Sequence, residues 1–523
     1  SDPSGVQVMP QIHHVMSGSS IGGVEILRGP QAFAYGADAG GVINIRSIQA
    51  KLAENSDRGQ NASINLGLGS FSTRVGDAAY NFTNGQFDLS LSARRYETDG
   101  FNARLSDATL QDDDGYENTT LHARLGWNLS ENLRLEGVVI DTDAISEYDA
   151  CGFPGTHDCI EDYQQTAYRI SAIWNSESTE HQFSLKRSET DRDDIYGGIS
   201  AFKTGGGIEH LEYQGSFRYG DPSTVNSTLV FGVDLEDESI VTSDGQNLQR
   251  DQNGIRGEYI LFFSDSTTAS AGLRYDDNDD FGEHTSYRLS FSHRQALAQG
   301  MIKYRASVGN GFRAPSLFEI SYNAGPFAFP PAASAQLIEE TSQGYELGVG
   351  FVSESGHSLG FTWFDQKIED EIFFDLAGFS GYLQEQGTTR SKGLEIEWHV
   401  ALFESLDWYG NYTWNDTKTR SGDQRIRRPE HLVNVGLRFE TGKLEALLNL
   451  RFSRNAVDEV FGQGRIDLDD YEVLDIGARY QFANEWSVNM SVENLFDSEY
   501  REITDFRNAG RTAFIRMGYN FSE

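Results

Sequence analysis

Cys151 and Cys159 are the only cysteines in 523 residues, with seven residues between them in the polar stretch Asp149-Ala150-Cys151-Gly152-Phe153-Pro154-Gly155-Thr156-His157-Asp158-Cys159. In an oxidising compartment the pair would close a small loop worth roughly 2–3 kcal/mol in the chain-entropy model. As metal ligands they would have only His157 as a nearby soft partner, so the residues favour a disulfide over a metal site. Acidic side chains cluster at Asp112-Asp113-Asp114, at Asp191 with Asp193 and Asp194, at Asp276-Asp277 with Asp279 and Asp280, and at Asp467 with Asp469 and Asp470. Several oxygen ligands close together could hold Ca²⁺, with Asp112, Asp113 and Asp114 as the candidates, but none of the clusters has EF-hand spacing. A solvated, self-repelling loop is the favoured alternative. Phe318, Tyr322, Phe327 and Phe329 share one stretch with Pro326, Pro330 and Pro331. Such aromatics could stack on a ring-rich ligand or pack among neighbouring loops, an ambiguity that Tyr500 and Phe506 share. His13 and His14 are adjacent, so on a strand they point to opposite faces, which favours a structural or solvated role over a metal site. No nucleophile elbow, zinc-protease motif, P-loop or dinucleotide fingerprint stands in a supporting context, and we expect no covalent chemistry.

The elements that must position these residues are strands. Aromatics make up 12% of the chain, with 54 Gly and only 10 Pro, a mixture suited to β-structure. The balance of 42 basic against 79 acidic side chains, net −37, excludes a nucleic-acid partner. No run approaches the roughly 18 apolar residues of a spanning helix, which leaves a transmembrane β-barrel open. Period-two alternation is strict. Trp486, Val488, Met490 and Val492 oppose Ser487, Asn489, Ser491 and Glu493; Phe87, Leu89, Leu91 and Ala93 oppose Asp88, Ser90, Ser92 and Arg94; Ile302, Tyr304, Ala306 and Val308 oppose polar neighbours.

Tight breaks (Asn84-Gly85, Ser130-Glu131-Asn132, Glu354-Ser355-Gly356, Thr441-Gly442-Lys443, Ala483-Asn484-Glu485) take turns with long polar stretches at 98–118, 144–164, 191–207, 312–340, 369–389 and 455–469. Short turns at one rim and long loops at the other predict an all-β, antiparallel outer-membrane barrel of about 22 strands, each of roughly ten residues. A propeller would show a repeat of roughly 40–50 residues, and none is present.

The segment VEILRGPQAFAYGADAGGVINI, Val24 to Ile45, resembles the end of the plug domain of TonB-dependent outer-membrane receptors. Further stretches resemble the same family in order: Gly311 to Leu317 with Glu319, Glu340 to Gly348, Arg390 to Glu395, Arg427 to His431, and Val492 to Asp497. The resemblance implies the C-terminal part of a plug over residues 1–48, a linker at 49–60 and a barrel over 61–523. It also implies energy-coupled uptake of a scarce nutrient through the TonB complex, by a monomer surrounded by outer-membrane lipids. A ferric siderophore is the first expectation for the cargo, cobalamin the alternative, and a non-transporting adhesin the rival from another class. One branch of the family carries loop calcium, which bears on the acidic clusters. Family plugs are longer than 50 residues and carry a TonB-contacting segment near their start, so residues 1–523 alone are expected not to couple to TonB. The resemblance further implies that plug arginines lock onto barrel glutamates, here Arg28 with Glu346 and Glu395. The last strand places Ala513, Ile515, Met517, Tyr519 and Phe521 on one face, similar to the family's assembly signal, although Ser522 and Glu523 follow the final aromatic.

Overall fold

The computed structural model describes residues 14, 21–30, 32–36, 41–47, 59–106, 112–149, 151, 157–221, 224–460 and 462–522. Twenty-two antiparallel strands, from Gly59–Gly69 to Thr512–Ser522, close into a barrel. Each strand pairs with its neighbour in sequence, and the seam joins the last to the first, with Ile515 opposite Leu68 and Tyr519 opposite Ile64. The first strand begins at Gly59, two residues inside the expected linker. Residues 49–58 of that linker lie outside the described residues.

Alternation sorts the side chains. Ile64, Leu66 and Leu68 on the first strand are more than half exposed on the outer wall, as suits a lipid-facing row. The inner wall is polar and paired: Arg124 lies 2.8 Å from Asp88 and 2.5 Å from Glu136, and Arg134 lies 2.6 Å from Asp88. A lumen of this kind can bury these charges because they are paired with one another.

The five tight breaks fall between consecutive strands as expected. Strand lengths do not follow the ten-residue expectation: they run from 8 residues at Trp486–Glu493 to 23 at Ile199–Asp221. The stretch 191–207 is not a loop. It is the top of a hairpin, Thr179–Tyr196 with Ile199–Asp221, turning at Gly197-Gly198, both at positive φ. Its polar residues stay in strand form because they are matched: Arg192 sits between Glu161 and Asp194, and Lys203 is 2.8 Å from Asp193. The stretch 455–469 likewise folds into a hairpin of its own, Ala456–Val460 with Gly464–Leu468.

A second small sheet, Ile21–Arg28 paired with Gly41–Ser47, lies near the start of the described residues. Arg28 pairs with Gly41, whose φ of +139° and 2.7 Å approach of a built Cβ to the Leu27 carbonyl require glycine. Between the two strands runs the short helix Ala32–Tyr35.

Candidate functional site

The tip of this strand pair docks on the inner wall. Arg28 forms an ion pair with Glu395 on the strand Tyr382–Phe403. Glu346, on Glu340–Ser353, accepts from the Ser307 hydroxyl at 3.2 Å and lies against Gly29, where a Cβ would come 3.7 Å from its Oε1. The two glutamates and Arg28 therefore meet in one region of the lumen. Two wall glycines receive the tip: a Cβ at Gly344 would sit 2.6 Å from Pro30, and one at Gly272 would sit 2.5 Å from the Phe33 ring. Arg256 adds a 3.3 Å hydrogen bond to the Ala34 carbonyl.

A cavity of about 500 Å³ opens between the tip and the wall, lined by Arg28, Glu346, Glu395, Arg288, Arg425 and Arg428 among others. Arg425 is paired with Glu371 and Arg427 with Asp458. Arg428 is exposed, donates to the Arg427 carbonyl at 3.1 Å and, among the described residues, has no carboxylate at ion-pair distance.

Above the wall, residues 314–340 form a folded unit. Ser316 caps the helix Leu317–Ala324 in a reciprocal capping box with Glu319. Arg313 reaches both Glu319, at 3.0 Å, and Glu340, at 2.8 Å, and Glu319 is fully buried. Leu317 and Phe318 pack with Ile240, Ile372 and Tyr382, and Tyr322 joins from the side. Asn323 ties the helix to the barrel by giving to the Tyr382 carbonyl at 2.7 Å and accepting from its N–H at 2.9 Å.

This divides the four aromatics expected as stacking candidates. Phe318, 5% exposed, is a core residue and Tyr322 a half-buried one, because the helix turns both toward Tyr382. Phe327 and Phe329 remain about half exposed. Tyr500 packs on Tyr471 at 4.3 Å and accepts from Arg451, while Phe506 pairs with Arg104 across a β-bridge.

The acidic clusters are more structured than solvated loops. Asp276 is fully buried against Arg274, at 2.8 Å, and Asp194 is held by Arg192. Asp469 meets Arg501 at 2.9 Å, and Asp470 accepts from Asn455 N–H. Asp114 begins a strand and accepts from the Ala103 N–H at 2.9 Å, while Asp112 and Asp113 are exposed. Among the described residues no three His, Cys, Asp or Glu side chains converge as a metal group would need. Cys151 and Cys159 are joined in a disulfide with Cα atoms 6.1 Å apart. His14 is buried, its ring 3.0 Å from the Tyr116 hydroxyl and stacked on Tyr163 at 4.6 Å. His13 lies outside the described residues.

The clamp of Arg313 on Glu319 and Glu340 has no counterpart among the residues singled out for function from sequence. Its signal was present: Ser316 with Glu319 three residues on is a capping-box pattern beside an arginine.

A closed antiparallel sheet of this size, apolar outside and charged inside, with a strand pair fastened in its lumen, defines an integral outer-membrane barrel of the plugged class. Residues 53–495 match the family model "TonB dependent receptor-like, beta-barrel", and the chain belongs to that family. Its members are receptors and transporters rather than enzymes. The chain is 25% identical over 529 aligned positions to the vitamin B12 transporter BtuB of Vibrio vulnificus, spanning 95% of this chain and 79% of the relative. The BtuB of Photobacterium profundum is 22% identical, with the same two shares. Among solved structures, the ferric enterobactin receptor PfeA of Pseudomonas aeruginosa superposes with a TM-score of 0.79 at 17% identity, covering 96% of this chain and 86% of that one. The copper transporter OprC does so with a TM-score of 0.79 at 15% identity, covering 95% and 85%.

Proposed function

We propose that the protein takes up a bulky, anionic metal chelate, a ferric siderophore, by TonB-dependent transport. The observation that carries the cargo class is Arg428. A guanidinium facing a lumen cavity, flanked by Arg425 and Arg427 and with no carboxylate at ion-pair distance among the described residues, is a site for an anion. Ferric complexes of catecholate and hydroxycarboxylate chelators carry negative charge, and the exposed rings of Phe327 and Phe329 supply surfaces on which aromatic chelators stack. The ion pair of Arg28 with Glu395 fits a fastening that holds the plug while the receptor waits for energy.

Cobalamin is the second reading, supported by the two relatives named as vitamin B12 transporters. The corrinoid lacks the high negative charge that Arg428 suits. The test is intrinsic tryptophan fluorescence of the detergent-solubilised protein, titrated with ferric catecholates, ferric hydroxamates, haem and cobalamin. Saturable nanomolar binding of a ferric chelate, about −12 kcal/mol, weakened at least tenfold by Arg428→Ala, is the expected result. Binding of cobalamin alone would overturn the siderophore reading, and binding of nothing would favour an adhesive role.

A further inference from the structure

The outer wall carries a second charged feature, unrelated to the lumen. On the strand Ser358–Phe374, which rises from the short-turn rim, the outward residues are Leu359, Phe361 and Trp363, then Asp365, Lys367 and Glu369. Trp363 pairs with Leu394 and Leu394 with Trp414, so this level of the wall is apolar across three strands. One step up, Asp365, Lys392 and Asp416 stand side by side in register. A further step up, Lys367, Arg390 and Lys418 stand side by side, three cations on adjacent strands. The same face is assured because Glu395, of opposite parity on the middle strand, binds Arg28 inside the lumen.

Directly opposed like charges destabilise a sheet, so such a row needs an anion to hold it. The two aspartates supply part of this. Asp365 takes Arg390 through both its carboxylate oxygens, and Asp416 lies 3.3 Å from Lys392 and 3.9 Å from Lys418. Lys367 has no ion-pair partner among the described residues and is exposed. Four cations against two carboxylates leave an excess of two, bounded above by Glu369. Three of the chain's eight lysines are gathered here although its net charge is −37. Elsewhere on the perimeter an outward row is acidic instead: Glu209 pairs with Asp237 and Asp237 with Asp251.

We propose that the Lys367, Arg390 and Lys418 row, with Lys392 beneath it, binds the phosphorylated headgroup of an outer-leaflet lipid. Height and direction select this partner. The row lies two steps above the aromatic and aliphatic band, with the row of Asp365, Lys392 and Asp416 between, on the long-loop side, where the acyl chains end and the headgroups begin. A bound lipid would lay its chains along Trp363, Leu394 and Trp414 and present phosphate to the cations, the guanidinium fixed by Asp365 offering a planar donor between two mobile ammonium groups.

The experiment compares the full protein with the variant Lys367→Gln/Arg390→Gln/Lys418→Gln. Native mass spectrometry would be run in mixed micelles containing diphosphoryl lipid A or its fully dephosphorylated form. The parent protein should retain diphosphoryl lipid A, and the variant at least fivefold less, while neither retains the dephosphorylated form preferentially. Arginine at the two lysine positions should retain the lipid, and Glu209→Gln/Asp237→Asn/Asp251→Asn should match the parent, which separates lost recognition from lost folding. Inorganic phosphate at millimolar concentration should not displace the lipid. Equal retention by parent and glutamine variant, equal loss in the acidic-row control, or displacement by free phosphate would each overturn the proposal.

Discussion

Two segments press on the barrel from within its perimeter, the unit at 314–340 near the long-loop rim and the strand pair at 21–47 in the lumen, and they are held by opposite means. The first has a capped helix, a shared aromatic core and an arginine clamped between two buried glutamates. Among the described residues the second docks by its tip, through Pro30, Phe33 and an ion pair whose Arg28 is 61% exposed, while Val24, Ile26 and Ile43 are exposed. Buried, mutually satisfied groups make an element that cannot shift without a large cost, whereas partly hydrated charge pairs contribute little and release readily. Among the described residues, the rim unit is thus held by buried, paired groups and the lumen pair by partly hydrated ones.

The contrast is broken most directly at Arg313. Arg313→Ala strands Glu319 and Glu340 as buried charges, an expected loss of about 3–5 kcal/mol, read as faster proteolysis and hydrogen exchange across residues 317–340. Phe318→Ala should cost about 3 kcal/mol of the same local stability, whereas Phe327→Ala should leave stability unchanged and weaken ligand binding instead. If Phe318→Ala melts no earlier than the parent, the rim unit is not held by its core. Reducing the disulfide of Cys151 and Cys159 should remove roughly 2–3 kcal/mol, visible as protease access near residue 151 with the lumen pair unaffected.

Arg28→Ala sharpens the comparison from the other side. An exposed pair is worth about 0–1 kcal/mol after solvent screening, so the barrel's melting temperature should hold while residues 21–47 become several-fold more accessible to protease. A fall in barrel stability would show the pair to be structural. The smallest effect concerns Asp458, whose own burial works against ionisation. The Thr504 N–H and Arg427, each at 2.8 Å, nevertheless hold its carboxyl below the ordinary range. A depressed carboxyl contributes stability above its unfolded pKa of about 4 and loses it as pH falls through the lower folded value. Exchange in the 456–468 hairpin should therefore rise in acid, and Asp458→Asn should remove that dependence.

The barrel was legible because its alternation is local: each strand carries its own record of which face meets lipid, and short turns punctuate it. Strand length was not, because Asp193, Asp194 and Arg192 look like loop residues until their cross-strand partners Lys203 and Glu161 are known. Polarity in a sequence cannot tell solvation from pairing across a sheet. The same blindness made Asp276 look like part of a solvated run, although Arg274 buries it. Among candidate site residues, the meeting of Arg28 with Glu395 came from family likeness rather than from spacing, since 367 positions separate them. Phe318 and Phe327 are nine positions apart in one aromatic stretch. Only the helix between Ser316 and Gly325, turning the first inward, separates a core residue from a surface one.

The seam that joins Thr512–Ser522 to Gly59–Gly69 makes closure of the barrel wait for the strand furthest along the chain. Until the final strand is synthesised, the first has no partner on one side, and every intermediate is an open sheet with two sticky edges and an oily outer face. Such a sheet cannot close piecemeal as the chain emerges; it must be kept unpaired in transit and zipped shut at the membrane once the strand Thr512–Ser522 is available.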